Sequence, residues 1–152
     1  MRTTFIADVH LGKLARLLRL LGFDTLYRND FTKQELVSTS NGEERILLSR
    51  DGSFVKRGSA RYFIVASEDP MVQLKEVATQ FGFKEQLLPF TRCMACNGLL
   101  ESVPKESVAP LLEPNTLGYY TEFWRCTNCG RVYWKGSHYE KMLKTVELIN
   151  NP

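Results

Sequence analysis

Through residue 88 the chain alternates short runs of aliphatic, aromatic and β-branched residues with stretches whose apolar positions recur every three or four residues. The first pattern marks strands and the second amphipathic helices, and their alternation predicts βαβ units around a parallel sheet. Four strands are predicted, at Phe5-Ile6-Ala7, Thr25-Leu26-Tyr27, Ile46-Leu47-Leu48 and Tyr62-Phe63-Ile64-Val65. Between the first two, Lys13 to Leu21 reads as a helix with Leu14, Leu17, Leu18 and Leu21 on one face. Lys13, Arg16 and Arg19 cluster on another face, so a basic stripe should point outward. Thr32 and Glu35 have the spacing of a capping box, in which each side chain satisfies the other's free amide, and predict a second helix start. The Asn41-Gly42 turn should end that helix. Pro70 suits the first position of a third helix, with Met71, Leu74, Val77, Ala78 and Phe81 on one side and Gly82 closing it.

Near Pro89-Phe90 the periodicity stops, and the remainder is rich in Gly, Pro and aromatic residues and punctuated by cysteines. The division is therefore an α/β domain over residues 1–90 and a small annex with a helical tail over residues 91–152. Cys93-Met94-Ala95-Cys96 and Cys126-Thr127-Asn128-Cys129 are two CxxC turns, each followed by glycine within two residues, with 29 residues between Cys96 and Cys126. Each turn aims two thiolates at one point, and two turns complete the tetrahedral all-cysteine shell of a structural zinc ion, with no position left open for chemistry. Two disulfides or a redox CxxC fit less well with matched pairs in a chain read as cytoplasmic.

At 152 residues and 43% apolar, the chain can bury one main core plus a stabilised appendage. No stretch approaches the roughly 20 apolar residues of a membrane helix, and MRTTFIADVH lacks a secretory apolar run, so a soluble cytoplasmic protein is expected. The net charge of +3 is a weak pointer to an anionic partner, but its distribution is informative. Arg125, Arg131, Lys135, Lys141 and Lys144 stand against Glu140 alone in the stretch from 123 to 144. Tyr119, Tyr120, Phe123, Trp124, Tyr133 and Trp134 are interleaved with those cations. Such a surface can stack bases and hold phosphates, or the rings can simply be the annex's core.

Asp8, Asp30, Asp51 and Asp69 each follow one predicted strand. The carboxyl ends of parallel strands share one edge, where ligands bind, so several carboxylates should meet there and take a hard cation such as Mg²⁺ or Mn²⁺. Such a cation can activate water and clamp a phosphodiester. Lys13, Arg16, Arg28 and Arg50 lie close in sequence to these carboxylates and could guide phosphates. Asp residues at strand ends also cap helices and make turns. Asp69, just before Pro70, reads first as a helix cap and second as a possible fourth ligand; Asp24 reads as a turn residue, and His10 and His138 as structural.

FIADVHLGKLARLLRLLGFDTLYRND, ILLSRD, PFTRCMACNG and FWRCTNCGRVYWKGSHYEKM together resemble the Mut-seven C-terminal RNase domain family, from about residue 5 to about residue 143. The resemblance implies a PIN-like nuclease fold joined to a C-terminal zinc ribbon, acting as a metal-dependent ribonuclease, in endonuclease mode by analogy of fold. It implies that Asp8, Asp30 and Asp51 are the acidic residues of the site and LGKLARLLR the basic helix beside it. Gly52-Ser53 after Asp51 departs from relatives that carry a further acid there, so Glu68 or Asp69 would have to serve a second cation. On this reading Lys13, Arg16, Arg50, Arg125 and Arg131 contact RNA. The alternative is a non-catalytic RNA-binding or ribosome-associated adaptor whose working part is the zinc ribbon. A phospho-accepting receiver is set aside because Val9-His10 follows Asp8 where an adjacent acid is needed.

Overall fold

The computed structural model describes residues 2–150; Met1, Asn151 and Pro152, which the two predicted segments include at their ends, lie outside the described residues. The α/β part runs β1 (Phe5–Ala7), α1 (Gly12–Leu20), β2 (Thr25–Leu26), α2 (Lys33–Glu43), β3 (Ile46–Ser49), β4 (Tyr62–Ile64) and α3 (Pro70–Phe81). Its four strands are parallel, in the order β2-β1-β3-β4, with Ile6 opposite Leu26 on one side and Leu47 on the other. The inner strands β1 and β3 are buried almost throughout because helices cover both faces. Phe5, Ala7 and Leu48 face Leu14, Leu18, Leu74 and Val77 of α1 and α3, while Ile6 and Leu47 face Leu36 and Val37 of α2. That alternation is the two-residue period of a strand read from both sides.

The annex is built from β5 (Leu100–Val103), α4 (Lys105–Val108), α5 (Pro114–Tyr119), β6 (Phe123–Cys126), β7 (Val132–Tyr133) and α6 (Ser137–Asn150). Strands β5, β6 and β7 form an antiparallel sheet in that order, with Val108 and Phe123 buried beneath it. So few buried apolar side chains need a covalent or metal staple to hold them. α6 leaves the annex and returns to the first sheet, where Val146 and Ile149 join the core around Phe83. Among the described residues no helix is long and apolar enough to cross a membrane.

The capping box at Thr32 and Glu35 forms with both bonds at 3.0 Å, and Pro70 and Gly82 open and close α3. Two expectations are corrected. α2 continues through Asn41-Gly42 and ends at Glu44, which takes the left-handed conformation at φ 55. Asn41 stays helical because its amide is used across the fold, donating to the Gly58 carbonyl and accepting from the Ala60 amide. Arg19 does not belong to an outward basic stripe: it is 4% exposed and buried with the helix's apolar face. Lys13 and Arg16 do point outward.

Candidate functional site

Two clusters of predicted residues form at opposite ends of the molecule's logic, one of sulfur and one of oxygen. In the first, hydrogen bonds from the Cys93 amide to the Gly98 carbonyl and from the Cys126 amide to the Arg131 carbonyl close two matching knuckles. They bring Cys93, Cys96, Cys126 and Cys129 together with all four sulfurs within 4.8 Å of one another. Cys93 and Cys129 are 3.7 Å apart and Cys96 and Cys126 3.4 Å, and all four thiols are free. A tetrahedron with zinc–sulfur bonds of about 2.3 Å has edges of about 3.8 Å, so these separations suit zinc and exclude disulfides.

The electrostatics point the same way. Burial disfavours the Cys96 thiolate, yet donation from the Asn128 side chain and the Gly98 amide brings its pKa down to about 6. Burial together with the neighbouring sulfurs pushes Cys129 up to about 12. The Cys96 thiolate is favoured and the Cys129 thiolate disfavoured among the neighbouring sulfurs, a conflict that a bound zinc ion would relieve. Gly98 is required here: a Cβ would lie 2.7 Å from Cys126 Sγ and 2.8 Å from Asn128 Cβ.

The second cluster lies at the carboxyl end of the parallel sheet, between β1 and β3. There the strand order reverses, β2 lying on one side of β1 and β3 on the other, which is the position where parallel sheets open a ligand crevice. Asp8, directly after β1, is 7% exposed; Oδ1 accepts from the Val9 amide at 2.7 Å and Oδ2 from the Ser49 hydroxyl at 2.7 Å. The same Ser49 oxygen accepts from the Asp51 amide at 2.9 Å, so one fully buried hydroxyl ties the two aspartates together. Asp51 caps the short turn Gly52–Val55 through the Ser53 amide, and Lys33 Nζ lies 2.8 Å from its outer oxygen. Lys33 first, then the Ser53 amide, holds the Asp51 carboxyl well below the usual carboxylate range. Ser53 Oγ beside it is buried with no partner among the described residues.

The other predicted residues are placed separately. Asp30 is exposed at the end of β2 and paired with Arg28 at 3.0 Å; Asp69 caps α3 through the Met71 and Val72 amides. Asp8, Asp30 and Asp51 therefore do not close on a single point, and among the described residues the cysteines are the one His, Cys, Asp or Glu group with ligand spacing. Arg50 turns to Glu68 at 3.3 Å. Lys13 lines a cleft of about 410 Å³ with Val9, His10, Tyr27 and Glu68. Arg16 and Arg131 meet across a groove between α1 and the annex, whereas Arg125 Nε is spent on the Gly130 carbonyl inside the second knuckle.

Residues that sequence reasoning left aside fasten the two parts together. Arg19 donates to the Thr25 carbonyl at 2.9 Å and to the Met94 and Ala95 carbonyls of the first knuckle at 3.0 and 3.2 Å. Asn97, inside that knuckle, donates to Asp24 at 2.7 Å and accepts from the Thr25 amide. Asp24 in turn pairs with the buried Arg45 at 2.8 Å, so it is a bridge rather than a simple turn residue. Burial dominates at Arg19 and lowers its pKa.

The arrangement is thus a parallel sheet with an acidic crevice at its switch point and a cysteine-built ribbon bolted to its first helix. No curated protein and no solved structure matches the chain. Residues 3–146 match the family described as Mut7-C RNAse domain, nearly the whole chain, and the protein belongs to that family.

Proposed function

We propose that the protein hydrolyses RNA phosphodiester bonds at the crevice between β1 and β3, in endonuclease mode, with a Mg²⁺ or Mn²⁺ ion. The observation that carries this reading is the Asp8–Ser49–Asp51 bridge, in which Ser49 ties the Asp8 carboxylate to the Asp51 main chain at the edge of the sheet where ligands collect. The donor set that fits a hard cation is the carboxylate oxygens of Asp8 and Asp51 with the unpartnered Ser53 hydroxyl beside Asp51, from which the Lys33 ammonium would have to withdraw as the metal binds. Asp8 and Asp51 would hold the ion, with Asp30 joining from β2 if it leaves Arg28, and Asp69 is a possible further ligand at the edge's far side. When bound, the ion supplies an acidified water and neutralises charge on the phosphate. Ser49 orients the Asp8 carboxylate and fixes the Asp51 main chain, while the Ser53 amide and Lys33 orient the Asp51 carboxylate; Lys13, Arg16 and Arg50 draw the RNA backbone to the edge, and Arg131 and Arg125 extend the cationic surface on the ribbon.

A second reading, a non-catalytic RNA-binding adaptor, is favoured by one observation: Arg28 and Lys33 already neutralise Asp30 and Asp51. A titration of Mg²⁺ and Mn²⁺ against purified zinc-loaded protein and a mixed RNA pool, beside Asp8→Asn and Asp51→Asn, separates the two. Metal-dependent cleavage lost in both variants supports the nuclease. Cleavage at full rate in both variants and in EDTA refutes it, and salt-sensitive binding with no cleavage leaves the adaptor.

A further inference from the structure

The groove between α1 and the ribbon has about 570 Å³ of volume and is lined by Arg16 from α1, Arg131 after the second knuckle and His138 at the start of α6. Among the described residues no carboxylate lines it. Against it, sharing the wall formed by Met94, Tyr133 and Trp134, lies a second and different space. This one is about 130 Å³ and mostly apolar, walled by Leu20, Phe90, Trp124, Tyr139 and Met142. Its only charged lining groups are cationic, Arg92 and Lys135. Lys135 Nζ stands 5.6 Å from the Trp124 ring centre and 5.7 Å from that of Tyr139, and the Phe90 and Tyr139 rings lie 4.5 Å apart.

From these two spaces we infer that the cleft between α1 and the ribbon binds single-stranded RNA, with phosphates in the groove along Arg16 and Arg131 and one unpaired base inserted in the adjoining aromatic cavity. The inference rests on the RNase reading for its choice of ligand and adds where, and in what form, the strand is held. The chemistry of each space matches one half of a nucleotide. Phosphates would lie on the arginine side of the groove, at Arg16 and Arg131, away from the Cys129 sulfur that also lines it. A small space walled by rings and an arginine suits a flat heterocycle, since every base has a face that stacks and only its edge needs water or a charged partner. The volume is below the several hundred Å³ of a drug-sized pocket, so it admits one ring system and not a longer ligand. A base can enter only unpaired, so the cleft selects single strands over duplex.

The groove also leads to the acidic crevice. Arg16 and Lys13 are three residues apart on the exposed side of α1, just under one turn and roughly 4.5 Å of helix rise. Lys13 in turn lines a cleft with Val9, the residue that follows Asp8 and donates its amide to the Asp8 carboxylate. From Leu20, at the base cavity, to Lys13 is roughly 10 Å along the helix. A strand held at the ribbon therefore reaches the crevice within a few nucleotides.

The test uses full-length zinc-loaded Asp8→Asn protein, so that binding is read without cleavage. Its probe is a labelled mixed-sequence single-stranded RNA of roughly twelve nucleotides, alone and annealed to its complement, followed by fluorescence anisotropy at several salt concentrations. Single strand should bind more tightly than duplex. Arg16→Ala with Arg131→Ala should lower the salt slope by about 1.4, two phosphates on a single strand, while Lys84→Ala, far from the cleft, should change nothing. Met142→Trp, which fills the cavity, should weaken binding roughly 5- to 150-fold, the loss of one stacked base, without changing the slope. A uridine-analogue photocrosslink needs no cavity variant and should map to Trp124, Tyr139 or Met142. Duplex binding equal to single-strand binding, an unchanged slope in the arginine variant, or crosslinks elsewhere would each overturn the inference. Failure of the nuclease reading looks different: the wild-type protein binds RNA through this cleft and cuts nothing.

Discussion

Ser49→Ala is the sharpest probe of how the acidic crevice is built. The Ser49 hydroxyl is fully buried, donates to Asp8 Oδ2 at 2.7 Å and accepts from the Asp51 amide at 2.9 Å. Its removal takes one bond of two from a carboxylate that is 7% exposed and leaves a half-buried amide without an acceptor. A bond to a carboxylate contributes about 1.5–3 kcal/mol and a neutral one about 1, partly offset because alanine has no hydroxyl to desolvate. A net loss of about 2–3 kcal/mol is expected, which in a chain of this length lowers the thermal midpoint by about 5–10 °C. Urea and thermal unfolding at fixed zinc concentration measure it. The same substitution made on Asp8→Asn should cost at least about 1 kcal/mol less, because the charge that the hydroxyl serves is gone. A Ser49→Ala protein within about 0.5 kcal/mol of the parent, or one whose loss is the same with and without the Asp8 charge, would refute the bridge as the organiser of the site.

Gly98→Ala should drive a methyl group into Cys126 Sγ and Asn128 and weaken zinc binding about 10- to 100-fold in a chelator competition; undiminished affinity would show that the knuckle yields. Lys33→Met should raise the Asp51 pKa back toward the ordinary carboxylate value of about 3.9. Because the folded-state pKa is depressed, the stabilisation is present above about 3.9 and fades as pH falls through the folded value, so the variant should lose it at higher pH. Carbonyl NMR titration of Asp51 reads the change, and an unmoved curve would mean that the Ser53 amide, not Lys33, sets the shift.

The elements that could be read from the chain were those with their own period. β1, β3, α1 and α3 declare themselves because each buries a continuous face, and Thr32, Pro70 and Gly82 announce helix ends by local chemistry. The short helices α4 and α5 have too few turns to show a period and carry no side-chain caps. α2 overran Asn41-Gly42 because Asn41's partners, Gly58 and Ala60, are distant in sequence. The four cysteines were legible for the opposite reason, since a CxxC turn fixes its own geometry before the fold acts. For the carboxylates, following a strand put Asp8 and Asp51 at one edge, but the strand-end rule could not tell them from Asp30 and Asp69. That distinction needed Ser49, whose side chain points into the crevice only because β3 lies beside β1.

Arg19 shows why the two parts behave as one. Spacing alone grouped it with Lys13 and Arg16, yet a helix of nine residues carrying leucines around most of its girth has only a narrow exposed side. A guanidinium buried at that position needs several acceptors. It finds the end of the sheet, at the Thr25 carbonyl, and the first zinc knuckle, at Met94 and Ala95. Beside it, Asn97 of the knuckle holds Asp24, Asp24 holds Arg45, and Arg45 donates to the Phe5 carbonyl of β1. Three residues after Phe5 on the same strand path is Asp8. The ribbon is thus tied to the amino end of β1 by a run of largely part-buried polar contacts, and only the strand itself, from Phe5 to Ala7, carries that anchorage on to Asp8 at the carboxyl end.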